Sequence, residues 1–191
     1  MRSRLLMLLL AALTALARPC AMRAAVSVAM PVPADVQAAL FHNIWKLDRN
    51  FDCTKGVRLA VVYQQSYFDS AAAKDDFVAA IAKLGLHTTL VLLEVTSQQS
   101  LLDALQHGEL DMVYVAPLRS VDVGEIGRIG RARHFRTITG VPEYVEAGVS
   151  VGIGIRRDRP LIIVNLAQAR AEGAAFSSQL LALARIVGPV Q

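Results

Sequence analysis

Two rhythms of apolar residues alternate along this chain. In residues 34–47, Val36, Leu40, Ile44 and Leu47 recur at helical spacing, with Phe41 and Trp45 flanking the stripe and Asp35 near its start. The prolines of the preceding MPVP run (residues 30–33) oppose helix there. Residues 57–63 (VRLAVVY) read as a strand and 64–69 as a polar loop. Residues 71–84 read as a helix that Asp69 or Ser70 can cap and Gly85 stops. The alternation then repeats. Residues 87–95 (HTTLVLLEV), 111–116 (DMVYVA) and 136–141 (RTITGV) read as strands. Residues 98–106, with Leu101, Leu102 and Leu105 turned inward, and 121–135 read as helices, and 142–148 as a loop. Strands that alternate with helices specify a parallel sheet covered on both faces, because each parallel pairing needs a crossover.

The segment 148–187 changes this pattern. Residues 149–155 alternate branched and small side chains, with Gly152 and Gly154 on one face, where a neighbour can approach closely. RRDRP (156–160) is a polar hairpin connection, and 161–164 is a continuous apolar run, as in a strand covered on both faces. Asn165 is placed to cap a helix that Gly173 ends. Ser177 or Ser178 is placed to cap a second, with Leu180, Leu181, Ala184 and Val187 on its apolar face. The two strands joined by so short a turn predict an antiparallel pair at the sheet edge. The expected fold is α/β: a single-domain three-layer α/β/α sandwich over residues 34–188, its sheet mostly parallel, with an antiparallel C-terminal hairpin. No linker, repeat or low-complexity run divides it.

Residues 1–29 stand apart. Arg2 and Arg4 precede an apolar run, 5–17, that is short for a membrane span, which is the pattern of a signal peptide for export. Small-x-small sequences end at Ala17 and at Ala29, and the pattern accepts cleavage after either. The leader changes the charge argument. The chain carries a formal net charge of +4, and residues 1–29 hold Arg2, Arg4, Arg18 and Arg23 with no acid, so the remainder is neutral (+4 minus 4). The basic balance belongs to the leader and argues for no nucleic-acid partner. Of the two cysteines, Cys53 is alone if cleavage follows Ala29; a Cys20–Cys53 disulfide requires both to be retained.

Catalytic patterns are missing from this sequence. His42, His87, His107 and His134 are scattered without a carboxylate or histidine at ligand spacing, and neither cysteine has the company a metal needs. No serine sits in a nucleophile elbow. No catalytic residue, metal or cofactor is assigned. Gly124, Gly127 and Gly130 run G-x-x-G-x-x-G without the strand that should precede a phosphate loop. Arg128, Arg131 and Arg133 read as a solvated face that complements the helix dipole.

Ligands of open α/β sheets bind beyond the carboxyl ends of the strands. Here those ends supply Gln64, Ser66, Tyr67, Arg119 and Tyr144, a rim of hydroxyls and amides with one arginine. This is either an ordinary solvated edge or the crevice of a periplasmic solute-binding domain for a small polar or anionic ligand. Phe41 and Trp45 on one helix read as core. The alternative is a partner-binding face, with Tyr144 as a third anchor.

The ends of the chain resemble a known family. Residues 148–154, the Asn165-Leu166 pair, residues 169–173 and the SSQLLALA run at 177–184 are similar to the close of YfiR-like proteins, which are exported bacterial proteins. That close is a Gly-rich strand, a strand leading to Asn-Leu, a helix with Ala and Gly, then Ser-Ser-x-Leu-Leu-x-Leu-Ala. Residues 36–51 (VQAALFHNIWKLDRNF) are similar to the family's first helix, and the middle matches in pattern. The resemblance implies a non-enzymatic regulator in the periplasm. Its best-understood relatives repress a membrane-bound diguanylate cyclase by binding the periplasmic part, which links envelope stress to cyclic di-GMP and biofilm formation. It therefore implies a membrane-bound signalling protein as partner, and a homodimer. The redox-sensing members use four cysteines in intramolecular disulfides; this chain has two.

Overall fold

The computed structural model describes residues 30–188, so both cleavage positions, the leader and Cys20 lie outside the described residues. Strands β1 (Val57–Tyr63), β2 (Thr88–Glu94), β3 (Met112–Val115), β4 (Arg136–Thr139), β5 (Val151–Arg156), β6 (Arg159–Asn165) and β7 (Arg185–Val187) form one sheet in the order β2-β1-β3-β4-β5-β6-β7. Five neighbouring pairs are parallel; β5 and β6 are antiparallel.

The two-residue side-chain period divides the core between the faces of this sheet. Val57, Leu59 and Val61 of β1, with Met112 and Tyr114 of β3, pack against helices α1 (Ala34–Lys46) and α2 (Phe68–Lys83). Ala60, Val62, Val113 and Val115 pack the other way, against α3 (Gln98–Gln106), α4 (Val123–Arg133) and the short α5 (Glu143–Glu146). Helices α6 (Leu166–Ala171) and α7 (Ser178–Leu183) follow β6 and contribute Ala169 and Leu180 to the first core.

Several expectations are corrected. Phe41 is wholly buried and Trp45 is 3% exposed, so neither ring offers a face to a partner. Phe41 stands edge-on to Phe77 and to Tyr114, and these two stack at 3.7 Å. Trp45 meets Phe51 edge-on at 6.4 Å. Of the stripe read between residues 34 and 47, Ile44 is buried and Val36, Leu40 and Leu47 are half-buried against the core; the enclosed face of α1 is Gln37, Ala38, Phe41, Ile44 and Trp45.

The loop at 142–148 contains α5. Helix α2 starts at Phe68, and Ser70 accepts the Gln64 amide (2.9 Å) instead of capping. The last helix does not run on to Val187. Ala184 is extended, and β7 then pairs with β6 in parallel, so β6 is interior and the hairpin is not the edge. The connection at 156–160 shrinks to a two-residue turn, Arg157-Asp158, with φ of +50° and +59°. That handedness matches the strand twist and lets the ladder reach Arg156 and Arg159. Asn165 does cap α6, accepting the Gln168 amide, and Ser177 rather than Ser178 caps α7.

Candidate functional site

The register of β1 on β3, Val62 opposite Val115, sets the two following loops side by side at the carboxyl end of the sheet. Gln64 joins them. Its Oε1 accepts the backbone amide of Arg119 (2.6 Å), and its Nε2 donates to the Arg119 carbonyl (3.0 Å). One side-chain amide thus serves both backbone groups of one residue, as a neighbouring strand would. Ser120 follows with φ of +56°, an uncommon conformation for a residue with a Cβ. With its backbone held, Arg119 lays its guanidinium over the Tyr67 ring, 3.8 Å from the centroid. The Tyr67 hydroxyl donates to Asp69 Oδ2 (2.7 Å).

Tyr144 closes the cluster from α5. Its hydroxyl accepts the Leu118 amide (2.8 Å) and donates to the Leu118 carbonyl (3.1 Å). Burial raises its pKa, partly offset by the Leu118 hydrogen bond, with Tyr67 and Glu143 close enough to add to the rise. The structure therefore brings Gln64, Tyr67, Arg119 and Tyr144 together and leaves Ser66 exposed beside them. The four gathered side chains are engaged with one another or with the loop backbone.

One surface residue here escaped the sequence reading. Phe68, at the start of α2, is 82% exposed. Its position could have been read from phase. Phe77 faces the core, and nine residues at about 100° each place Phe68 on the opposite side of the helix.

A second polar cluster sits at the amino end of the sheet, between α4, the α5–β5 connection and α6. A cleft of about 280 Å³ there is lined by Arg131, Glu146, Gly148, Asn165 and Gln168 among others. The glycines of α4 explain how the elements come so close. A Cβ on Gly127 would overlap the carbonyl of Gly148, and one on Gly124 would stand 3.1 Å from the carbonyl of Ala147. The G-x-x-G-x-x-G run is a packing face. Gln168 Nε2 donates to the Gly127 carbonyl (2.7 Å), and Arg131 donates to Gln168 Oε1. Behind Gln168 lies Glu172, fully buried. Among the described residues, no three His, Cys, Asp or Glu side chains group as metal ligands.

A family model described as YfiR/HmsC-like matches residues 35–185. The chain belongs to the YfiR/HmsC-like family. Membership supports a periplasmic regulatory role for this protein. No curated protein matches the chain. Among solved structures, this YfiR/HmsC-like chain is similar to the ABC domain from Streptococcus pneumonia solved with L-Trp (TM-score 0.64, 14% identity, covering 81% of this chain and 62% of that one). It is also similar to a conserved domain protein from Vibrio cholerae O1 biovar El Tor (TM-score 0.60, 12% identity, 81% and 60%). A third is CD0873 of Clostridium difficile, a substrate binding protein with adhesive properties, in its ligand-free, open form (TM-score 0.60, 16% identity, 83% and 61%). The chain spans about three-fifths of the length of these structures. At such identities the likeness establishes the α/β fold.

Proposed function

We propose that this YfiR/HmsC-like protein is an exported, non-enzymatic regulator that works by contact. Its partner is the periplasmic part of a membrane-bound signalling protein, and family likeness favours a diguanylate cyclase. The contact surface is the carboxyl-end rim. Phe68 is its apolar anchor, with Arg119 and Ser66 beside it.

The observation that supports this reading is the contrast within the rim. Its side chains Gln64, Tyr67 and Tyr144 are already occupied, yet the residue that follows Tyr67 is a phenylalanine that is 82% exposed. An exposed aromatic on a pre-ordered surface suits protein recognition, where a few desolvated side chains contribute most of the affinity. Phe41, Trp45 and Tyr144 are not the anchors, because each is buried.

Affinity purification from envelope fractions tests the proposal. The wild-type protein recovers an inner-membrane signalling protein and Phe68→Ser does not, while deleting the gene raises cyclic di-GMP. Equal recovery by both proteins removes the rim from the proposal. No partner, with cyclic di-GMP unchanged, removes the function.

The solute-binding reading has less support, since Gln64 and Tyr144 already commit their polar atoms to the backbone of Arg119 and Leu118. A metabolite that raises the melting temperature of the wild-type protein, but not of Arg119→Ala, would revive it.

A further inference from the structure

At the amino end of the sheet a carboxyl group is enclosed by neutral donors. Glu172 caps the end of α6 and has no exposed surface. Its Oε2 accepts the Thr137 amide (3.0 Å). Its Oε1 accepts the Thr137 hydroxyl (2.6 Å) and Gln168 Nε2 (2.7 Å). Gly130 of α4 is near enough that a Cβ there would stand 3.0 Å from Oε1.

Charged groups on the elements packed around it turn elsewhere. On α4, Arg128 pairs with Glu125, Arg133 reaches the Gly108 carbonyl (2.9 Å), and Arg131 stops at Gln168. On β4, Arg136 goes to Asp48 (3.1 Å) and to the carbonyls of Asn50 and Gly173. On α5, Glu146 pairs with Arg185. Arg170 of α6 is exposed. An ionised Glu172 is thus a buried charge with hydrogen bonds and no counter-ion in contact.

The same heavy atoms also satisfy the protonated acid. The Thr137 hydroxyl lies 3.3 Å from Ser150 Oγ, and the Ser150 hydroxyl donates to the Thr137 carbonyl (2.6 Å). When Glu172 carries a proton, it donates to Thr137 Oγ1, whose own hydrogen turns to Ser150. Both states are hydrogen-bonded, and only one of them buries a charge.

We propose that Glu172 is a proton-operated latch: taking up a proton tightens the docking of α6 on β4 and α4, and releasing it loosens the segment that leads into α7 and β7. The place matters because the following residues hold the end of α1. Asp48 accepts the Ala175 amide (2.8 Å), and Asn50 Nδ2 donates to the Gly173 carbonyl (3.0 Å).

Burial drives the Glu172 pKa up to about 7, against the lowering effect of its hydrogen bonds from Thr137 and Gln168. The folded site therefore holds a proton that the opened site, at an ordinary value of 4.5, releases. The added stability is complete below the ordinary value and is lost as pH rises through about 7.

The test is a carbon-13 titration of the Glu172 carboxyl in the full chain, with amide exchange in α6 and β4 for wild type and Glu172→Gln. Glutamine removes the titrating proton; an amide nitrogen in the place of Oε1 would face Gln168 Nε2, so the variant is compared by its pH slope and not by its absolute stability. In the wild type the carboxyl titrates near neutrality, and the opening constant, corrected for chemical exchange, rises about tenfold per pH unit between about 4.5 and about 7. In Glu172→Gln it stays flat over that range. A carboxyl that titrates in the ordinary range, or parallel pH curves for the two proteins, overturns the latch. If the variant does not fold, the wild-type titration alone decides.

Discussion

Gln64 holds Arg119 by both of its backbone groups, taking the amide at 2.6 Å and giving a hydrogen to the carbonyl at 3.0 Å. This one side chain ties the loop after β1 to the loop after β3. Gln64→Ala leaves those two groups without a protein partner at a part-buried site. A loss of about 1–3 kcal/mol is expected in urea unfolding. The Arg119–Tyr67 stack should loosen with it, seen as faster amide exchange at Arg119 and Ser120.

Tyr144→Phe keeps the ring and removes only the hydroxyl that serves the Leu118 amide and carbonyl. The buried pair is left unsatisfied. Stability should fall by about 1–3 kcal/mol in chemical denaturation, with no change in the folded spectrum.

Gly127→Ala tests the close approach of α4 to the α5–β5 connection. Alanine in an ordinary helix position stabilises by up to about 1 kcal/mol relative to glycine. Here the new Cβ would overlap the Gly148 carbonyl, and Gly148 is itself held at φ of +119°. The sign should reverse, to a loss of about 1–3 kcal/mol. Gly124→Ala, whose Cβ would meet the Ala147 carbonyl at 3.1 Å, should lose less. Melting temperatures of the two variants check the order.

Phe68 and Phe41 should separate binding from folding. Phe68→Ser removes an 82% exposed ring and should leave the melting temperature within a degree or two, on the order of 0.5 kcal/mol, while weakening partner capture. Phe41→Ala empties a site between Phe77 and Tyr114 and should cost about 3–5 kcal/mol. Thermal unfolding beside an envelope pull-down reads both.

Much of the sheet was legible because the two apolar periods are local properties of the chain. VRLAVVY and DMVYVA specify buried strands wherever they lie, and the caps at Asn165 and Ser177 act within three residues. The rim residues Gln64, Tyr67, Arg119 and Tyr144 were legible for a related reason: parallel strands bring their carboxyl ends together. What those side chains do there was not, since Gln64 and Arg119 are 55 residues apart and meet only through the β1–β3 register.

The order of apolar and polar residues, by itself, determined a sheet with helices on both faces and the antiparallel hairpin; the family resemblance came from particular residues, the Asn165-Leu166 pair and the SSQLLALA run among them. Tertiary structure alone decided between core and partner face for Phe41 and Trp45, took residues 185–187 out of the helical pattern to pair with β6, and enclosed Glu172. The reason is physical. Propensity and capping act over a few neighbouring residues, whereas burial, edge pairing and the proton affinity of a carboxyl depend on which distant groups displace water from it.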